Sequence, residues 1–74
     1  MSTQERVRRI LASTLGIQVP AEGDFSRDSE PRWDSLKHVA VIFALEDEFD
    51  IQFDEDQMAA LTSLSAIVEA VDAA

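Results

Sequence analysis

Apolar residues recur every three to four positions in three separate stretches of the chain, which is the spacing of one face of an α-helix. The first stretch follows "STQE", where Ser2 can cap a helix and Glu5 can reach back to the cap as a capping box. Its apolar face comprises Val7, Ile10, Leu11 and Leu15, and Gly16 then supplies a stop. The pattern therefore predicts a first helix between Ser2 and Gly16.

Two more helices and one short helical turn are predicted in the second half of the chain. Asp34 is a good N-cap for a helix that runs to about Phe49. A short turn of helix is expected over residues 54–60. Thr62 or Ser63 then caps a last helix, whose apolar face comprises Leu64, Ile67, Val68 and Val71.

A long irregular segment, from Ile17 to Trp33, separates the first two helices. It holds both prolines and Gly23, and Pro31 disfavours any earlier start of the second helix. Its expected anchors on the core are Ile17, Val19 and Phe25. The predicted fold is all-α: one domain over residues 1–74, built as a small bundle of three main helices plus one short helix.

The second helix carries apolar residues on two opposite faces when it is drawn at about 100° per residue. One face is assigned to the core and comprises His38, Val41, Ile42, Leu45 and Phe49. The opposite face comprises Leu36, Val39, Ala40 and Phe43, next to Glu46 and Asp47. Because a small bundle leaves part of each helix uncovered, the second face is predicted to be partly exposed and to dock a partner. The alternatives are that this second face packs under the long loop or forms a homodimer.

Charge and composition narrow the classes of partner. Six Lys and Arg against 15 Asp and Glu give a net charge of −9, which repels nucleic acid and anionic membranes and favours basic protein surfaces. There is no Cys, and the longest apolar run, Val39 to Leu45, is too short to span a bilayer. The charged N-terminus "MSTQERVRRI" lacks a signal-peptide core, so we expect a cytoplasmic, soluble protein. We also expect a monomer.

The motif "DSL", at Asp34 to Leu36, stands at the head of the second helix and is followed by "ALEDEFDI". With the long loop before it and the "LTSL" entry into the last helix, the chain resembles acyl carrier proteins and peptidyl carrier domains over nearly its whole length. The resemblance implies that Ser35 is the attachment point of 4'-phosphopantetheine, which a separate phosphopantetheinyl transferase adds from coenzyme A. The resemblance also implies that Asp34 is the acid of the motif, which helps the transferase. Asp34 is at the same time the predicted helix cap.

The resemblance further implies a shuttle between separate enzymes. The arm ends in a thiol that carries acyl or aminoacyl groups as thioesters. The expected partners are a loading enzyme and downstream synthase or transferase enzymes, whose basic patches grip the second helix. Partner-binding residues are therefore expected to be Trp33, Leu36, Val39, Ala40, Phe43, Glu46 and Asp47.

Some residues depart from the pattern of housekeeping fatty-acid carriers. Arg32 and Trp33 precede the motif, and Lys37 and Ala40 follow it, where many such carriers have small residues and acids respectively. These differences favour a specialised pathway such as polyketide, nonribosomal peptide or modified fatty acid synthesis. Trp33 is interpreted either as an aromatic side chain that faces partners beside the arm or as the anchor of the long loop.

The sequence gives little support for a catalytic site or a metal site. His38 lies three residues after Ser35, but no acid is placed to orient it. It is therefore interpreted as a partly buried histidine that faces either the core or the region where an acyl chain would lie. The acidic run from Asp50 to Asp56 lacks the central Gly of a calcium loop. We therefore expect a carrier with neither catalytic residues nor a specific metal site. The alternative is a helical interaction module without a prosthetic group that binds through Leu36 and Phe43.

Overall fold

The computed structural model describes residues 2–74, and its first helix, α1, spans Thr3–Leu15. The predicted capping box is confirmed: Ser2 Oγ accepts from the Glu5 amide, and the Glu5 carboxylate accepts from the Ser2 amide. Gly16 ends the helix at a φ of 69°, in the left-handed region that glycine enters without a steric penalty.

The other helices also begin at side-chain caps. Helix α2 spans Ser35–Phe49 after the cap Asp34, and α3 spans Glu55–Ala60 after the cap Asp54. Helix α4 spans Leu64–Ala73, and Ser63 rather than Thr62 is its cap. The predicted all-α fold is confirmed. None of these helices, within residues 2–74, is long and apolar enough to cross a membrane.

The core lies where α1 packs against α2 and α4. Helix α2 contributes Val41, Ile42 and Leu45, each almost fully buried, so the predicted core face is confirmed there. His38 and Phe49, at the edges of that face, are only half-buried. The buried apolar set is completed by Val7, Leu11, Leu15, Trp33, Phe53, Leu61, Leu64 and Ile67.

The long loop is fastened to the bundle along its length. The guanidinium of Arg8, which is largely buried, donates to the carbonyls of Pro20 and Gly23, the latter over 2.7 Å. The anchors predicted in the loop, Ile17, Val19 and Phe25, pack partly buried against the core. The loop also holds a short 3-10 turn over Arg27–Ser29, which no pattern in the sequence predicted.

The middle of the loop is tied to the start of α4. The Leu64 amide donates to the Phe25 carbonyl over 2.7 Å, and the Asp24 carboxylate accepts from the amide and the hydroxyl of Ser65. The hydrogen bond from the Ser65 amide is the main cause that lowers the pKa of Asp24 below its usual value, and it outweighs the opposing effect of burial. These contacts fix the loop before it reaches α2.

The two faces of α2 can be compared by removing one large apolar side chain from each. Leu45 is 0% exposed, and Leu45→Ala is expected to cost about 2–5 kcal/mol of unfolding free energy through lost burial and a cavity. Phe43 is 62% exposed, and Phe43→Ala, the matched control, is expected to cost much less. Urea denaturation of both variants measures the difference. A larger loss in Phe43→Ala than in Leu45→Ala would contradict the assignment of the two faces.

Candidate functional site at the start of helix α2

Ser35 is the first residue of α2, and its side chain is exposed. The cap of the helix is the residue before it: Asp34 Oδ1 accepts from the Lys37 amide over 2.8 Å, and the Asp34 carbonyl accepts from the His38 amide. Because Asp34 performs the capping that a serine often performs, the hydroxyl of Ser35 is left at the surface for another role. Asp34 thus acts here as the ordinary helix cap that the sequence predicts.

Trp33 lies in the core, only 2% exposed, although it stands two residues before Ser35. Its indole Nε1 donates to His38 Nδ1 over 3.0 Å, and its ring stacks on Phe25 with the centroids 6.1 Å apart. The prediction of Trp33 as a partner-binding residue is therefore wrong, since a ring turned into the core presents no surface. The alternative interpretation, an anchor of the long loop, is the one that these contacts support.

His38 connects the start of α2 to α3 through both nitrogens of its ring. Because an indole N–H can only donate, His38 Nδ1 must accept, which places the imidazole proton on Nε2. Nε2 lies 2.7 Å from the Met58 carbonyl and donates to it. The prediction of a partly buried histidine facing the core is confirmed. With both nitrogens engaged, the ring is not placed to take a proton from Ser35.

Arg27 brings a positive charge to Ser35, and sequence reasoning missed it. From the 3-10 turn, its Nε donates to the Trp33 carbonyl over 2.9 Å and its Nη2 donates to Ser35 Oγ over 3.3 Å. The only sequence signal is a lone arginine in an otherwise acidic and polar stretch eight residues before Ser35. The fold of the loop, rather than helical spacing, makes this contact.

One face of α2 leaves large apolar side chains in solvent. Leu36 is 79% exposed and Val39 49%, and Ala40 and Asp47 are exposed beside them. Together with Phe43 these residues form the acid-edged face, defined as Leu36, Val39, Ala40, Phe43 and Asp47. The predicted exposure of this face is confirmed.

Glu46 differs from the residues of the acid-edged face in its surroundings. It is half-buried, and its Oε2 accepts from the Phe53 amide over 2.9 Å. Glu46 thus holds the chain that returns after α2, and it offers a partner less free charge than the exposed Asp47 does.

Ser35 and its neighbours suit a covalently attached phosphate. The hydroxyl can form a phosphate ester, and its position is open to solvent. The first amides of a helix lack carbonyl partners within the helix and attract anions. The Arg27 guanidinium adds a full positive charge within hydrogen-bond distance of the hydroxyl. The arrangement therefore fits a serine that carries a phosphate-linked group.

Comparison with known proteins also indicates a site for a phosphate-linked group. Residues 5–71 match the family model described as the phosphopantetheine attachment site. The chain is 37% identical over 73 residues to "Acyl carrier protein 3" of Ralstonia nicotianae (strain ATCC BAA-1114 / GMI1000), in an alignment that covers 95% of this chain and 82% of that protein.

The chain therefore belongs to the acyl carrier protein family, as its sequence predicted. The prosthetic group of such a domain is a covalently attached 4'-phosphopantetheine, which confirms the predicted cofactor. Proteins of this family interact with phosphopantetheinyl transferases and with enzymes that handle acyl groups.

Proposed function

We propose that this chain carries acyl or aminoacyl groups on a 4'-phosphopantetheine arm attached to Ser35. The observation that carries the proposal is the exposed hydroxyl of Ser35 at the first position of α2, where Asp34 has taken over the capping role. When bound, the group supplies a terminal thiol on which cargo is carried as a thioester. The protein's own residues anchor the arm and present it to separate enzymes.

Attachment requires one exchange at phosphorus. Ser35 Oγ forms the new bond to the phosphorus of coenzyme A that bears the pantetheine, and the pyrophosphate P–O bond breaks. Adenosine 3',5'-bisphosphate leaves with the bridging oxygen, and the hydroxyl proton passes to a base of the transferase. We assign this step to a separate transferase, since proteins of this family interact with phosphopantetheinyl transferases and both ring nitrogens of His38 are already hydrogen-bonded. Ser35 is accordingly a tether and not a catalyst.

The other serines are less suited to attachment. Five of them form side-chain hydrogen bonds in caps or turns, namely Ser2, Ser26, Ser29, Ser63 and Ser65. Ser13 is exposed but lies inside α1, away from the free amides of a helix start. Ser35 alone of these seven combines exposure, a helix N-terminus and an adjacent guanidinium.

The acid-edged face is the proposed docking surface for the transferase and for the enzymes that load and use the cargo. Its exposed apolar side chains can be buried in a partner, and Asp47 at its edge attracts a basic patch. Arg32 and Lys37 are also exposed near Ser35 and place positive charge where many fatty-acid carriers have none. This difference supports service in a specialised pathway, such as polyketide, nonribosomal peptide or modified fatty acid synthesis.

Coexpression with a broad-specificity transferase is expected to raise the intact mass by one phosphopantetheine. Ser35→Ala should abolish the gain, whereas Ser13→Ala, which removes another exposed hydroxyl, should leave it complete. Intact-mass spectrometry measures all three proteins. An unmodified wild-type chain, beside a control carrier that the same transferase modifies, would disprove the carrier function and favour an interaction module without an arm.

Docking can be tested at Asp47, since reversing the charge of Glu46 would also break its bond to the Phe53 amide. Asp47→Lys is expected to slow association with a cognate loading enzyme roughly two- to tenfold, because an exposed attraction of about 0.2–1 kcal/mol becomes a repulsion. Glu69→Lys, a charge reversal at another exposed residue, on α4, is the matched control and should have little effect. Stopped-flow kinetics at low and high salt measure the rates.

The difference between these variants should shrink at high salt, because exposed charges are screened. Equal association rates for Asp47→Lys and wild type at low salt would place the docking surface elsewhere.

A further inference from the structure

We propose that Arg27 binds the phosphate of the arm on Ser35 and so fixes the root of the arm against the long loop. The inference rests on the proposed attachment at Ser35 and deepens it by naming the residue that receives the phosphate. The phosphate would lie between the first turn of α2 and the 3-10 turn over Arg27–Ser29.

The guanidinium of Arg27 is held in place from two sides. The Arg27 backbone amide donates to the Thr62 carbonyl over 2.8 Å, which fixes the 3-10 turn against the segment before α4. Its side-chain Nε donates to the Trp33 carbonyl over 2.9 Å, which leaves Nη2 directed at Ser35 Oγ at 3.3 Å. A long flexible side chain thus reaches Ser35 with most of its freedom already removed.

Among the charged groups near Ser35, Arg27 is the one placed to bind a phosphate there. The chain has a net charge of −9, which repels a phosphate in general, yet three of its six cationic residues lie between Arg27 and Lys37. Within residues 2–74, the guanidinium of Arg27 is the cationic group that donates a hydrogen bond to Ser35. The neighbouring acid, Asp34, directs Oδ1 to the Lys37 amide rather than to Arg27.

The chemistry of Ser35 changes in a way that strengthens this contact. A free hydroxyl offers Arg27 a neutral acceptor, whereas a phosphodiester offers negatively charged oxygens two bonds away from Oγ. Hydrogen bonds from guanidinium to phosphate are roughly twice as strong as neutral ones and are frequently bidentate. Attachment therefore converts a weak contact into an ion pair, and it links the arm to the loop through Arg27.

A double-mutant cycle tests the placement of Arg27 without the arm. Ser35→Glu supplies a negative charge, and Arg27→Gln removes the guanidinium charge; the cycle subtracts the cost of losing the bond to the Trp33 carbonyl. The unfolding equilibrium constants from urea titrations should show a coupling of roughly two- to fivefold at low salt, the range of an exposed ion pair. Lys37→Gln, which removes a charge two residues from Ser35, is the matched control and should couple less.

NMR can detect the contact between Arg27 and the phosphate on Ser35 in the modified protein. Addition of phosphopantetheine should shift the Arg27 Nε–H resonance, and Arg27→Gln should change the ³¹P shift of the phosphodiester more than Lys37→Gln does. Arg27→Lys keeps a positive charge but loses the planar, two-pronged guanidinium. Its ³¹P shift should therefore fall between those of wild type and Arg27→Gln.

The outcomes separate this inference from the carrier function. Equal coupling for Arg27 and Lys37, or an Arg27 resonance that does not move when the arm is added, would overturn the role of Arg27 and leave attachment intact. A chain that takes no arm would disprove attachment, while the cycle with Ser35→Glu would still decide whether Arg27 receives an anion at residue 35.

Discussion

The hydrogen bond between the indole of Trp33 and the imidazole of His38 is the contact on which the start of α2 depends. It holds a buried ring one residue before the cap, so three consecutive residues have three different environments: Trp33 in the core, Asp34 at the cap, and Ser35 in solvent. The backbone carbonyl of Trp33 accepts from Arg27 Nε, and Arg27 Nη2 donates to Ser35 Oγ. A shift of Trp33 would therefore move the cap, the guanidinium of Arg27 and Ser35 together.

Burial of this polar pair is energetically acceptable because every donor and acceptor in it is used. A buried N–H without a partner costs about 1–3 kcal/mol, yet the indole proton goes to His38 Nδ1 and the imidazole proton goes to the Met58 carbonyl. Within residues 2–74, no buried side-chain nitrogen or oxygen lacks a partner. The chain of contacts extends from the loop through α2 to α3, so one small network positions three segments around the site.

Local signals in the sequence predicted most of the helical framework. The capping box at Ser2 and Glu5, the cap at Asp34 and the core residues of α2 follow from spacing within one helix, where side-chain directions repeat regularly. The exposed side of α2 was predicted for the same reason, since two apolar faces on one helix exceed what a chain of 74 residues can cover. Such inferences need no knowledge of how distant segments meet.

The contacts of the loop could not be predicted in this way. Loop side chains have no fixed period, so the burial of Trp33 and the reach of Arg27 depend on where the segments from Phe25 to Trp33 and around Thr62 meet. Glu46 illustrates the same limit, because its engagement by the Phe53 amide arises only when the chain turns back after α2. Helical spacing correctly predicted that Glu46 and Asp47 lie beside the exposed face. It could not predict that the returning chain would partly bury Glu46 and leave Asp47 exposed.

The most direct measurement of the central claim, that the Trp33–His38 bond fixes the start of α2, is NMR of the ¹⁵N-labelled protein. A scalar coupling across the hydrogen bond should connect Trp33 Nε1 with His38 Nδ1, and the neutral imidazole should carry its proton on Nε2. A missing coupling together with an imidazole protonated on Nδ1 would contradict the account, because the indole would then have no acceptor on His38.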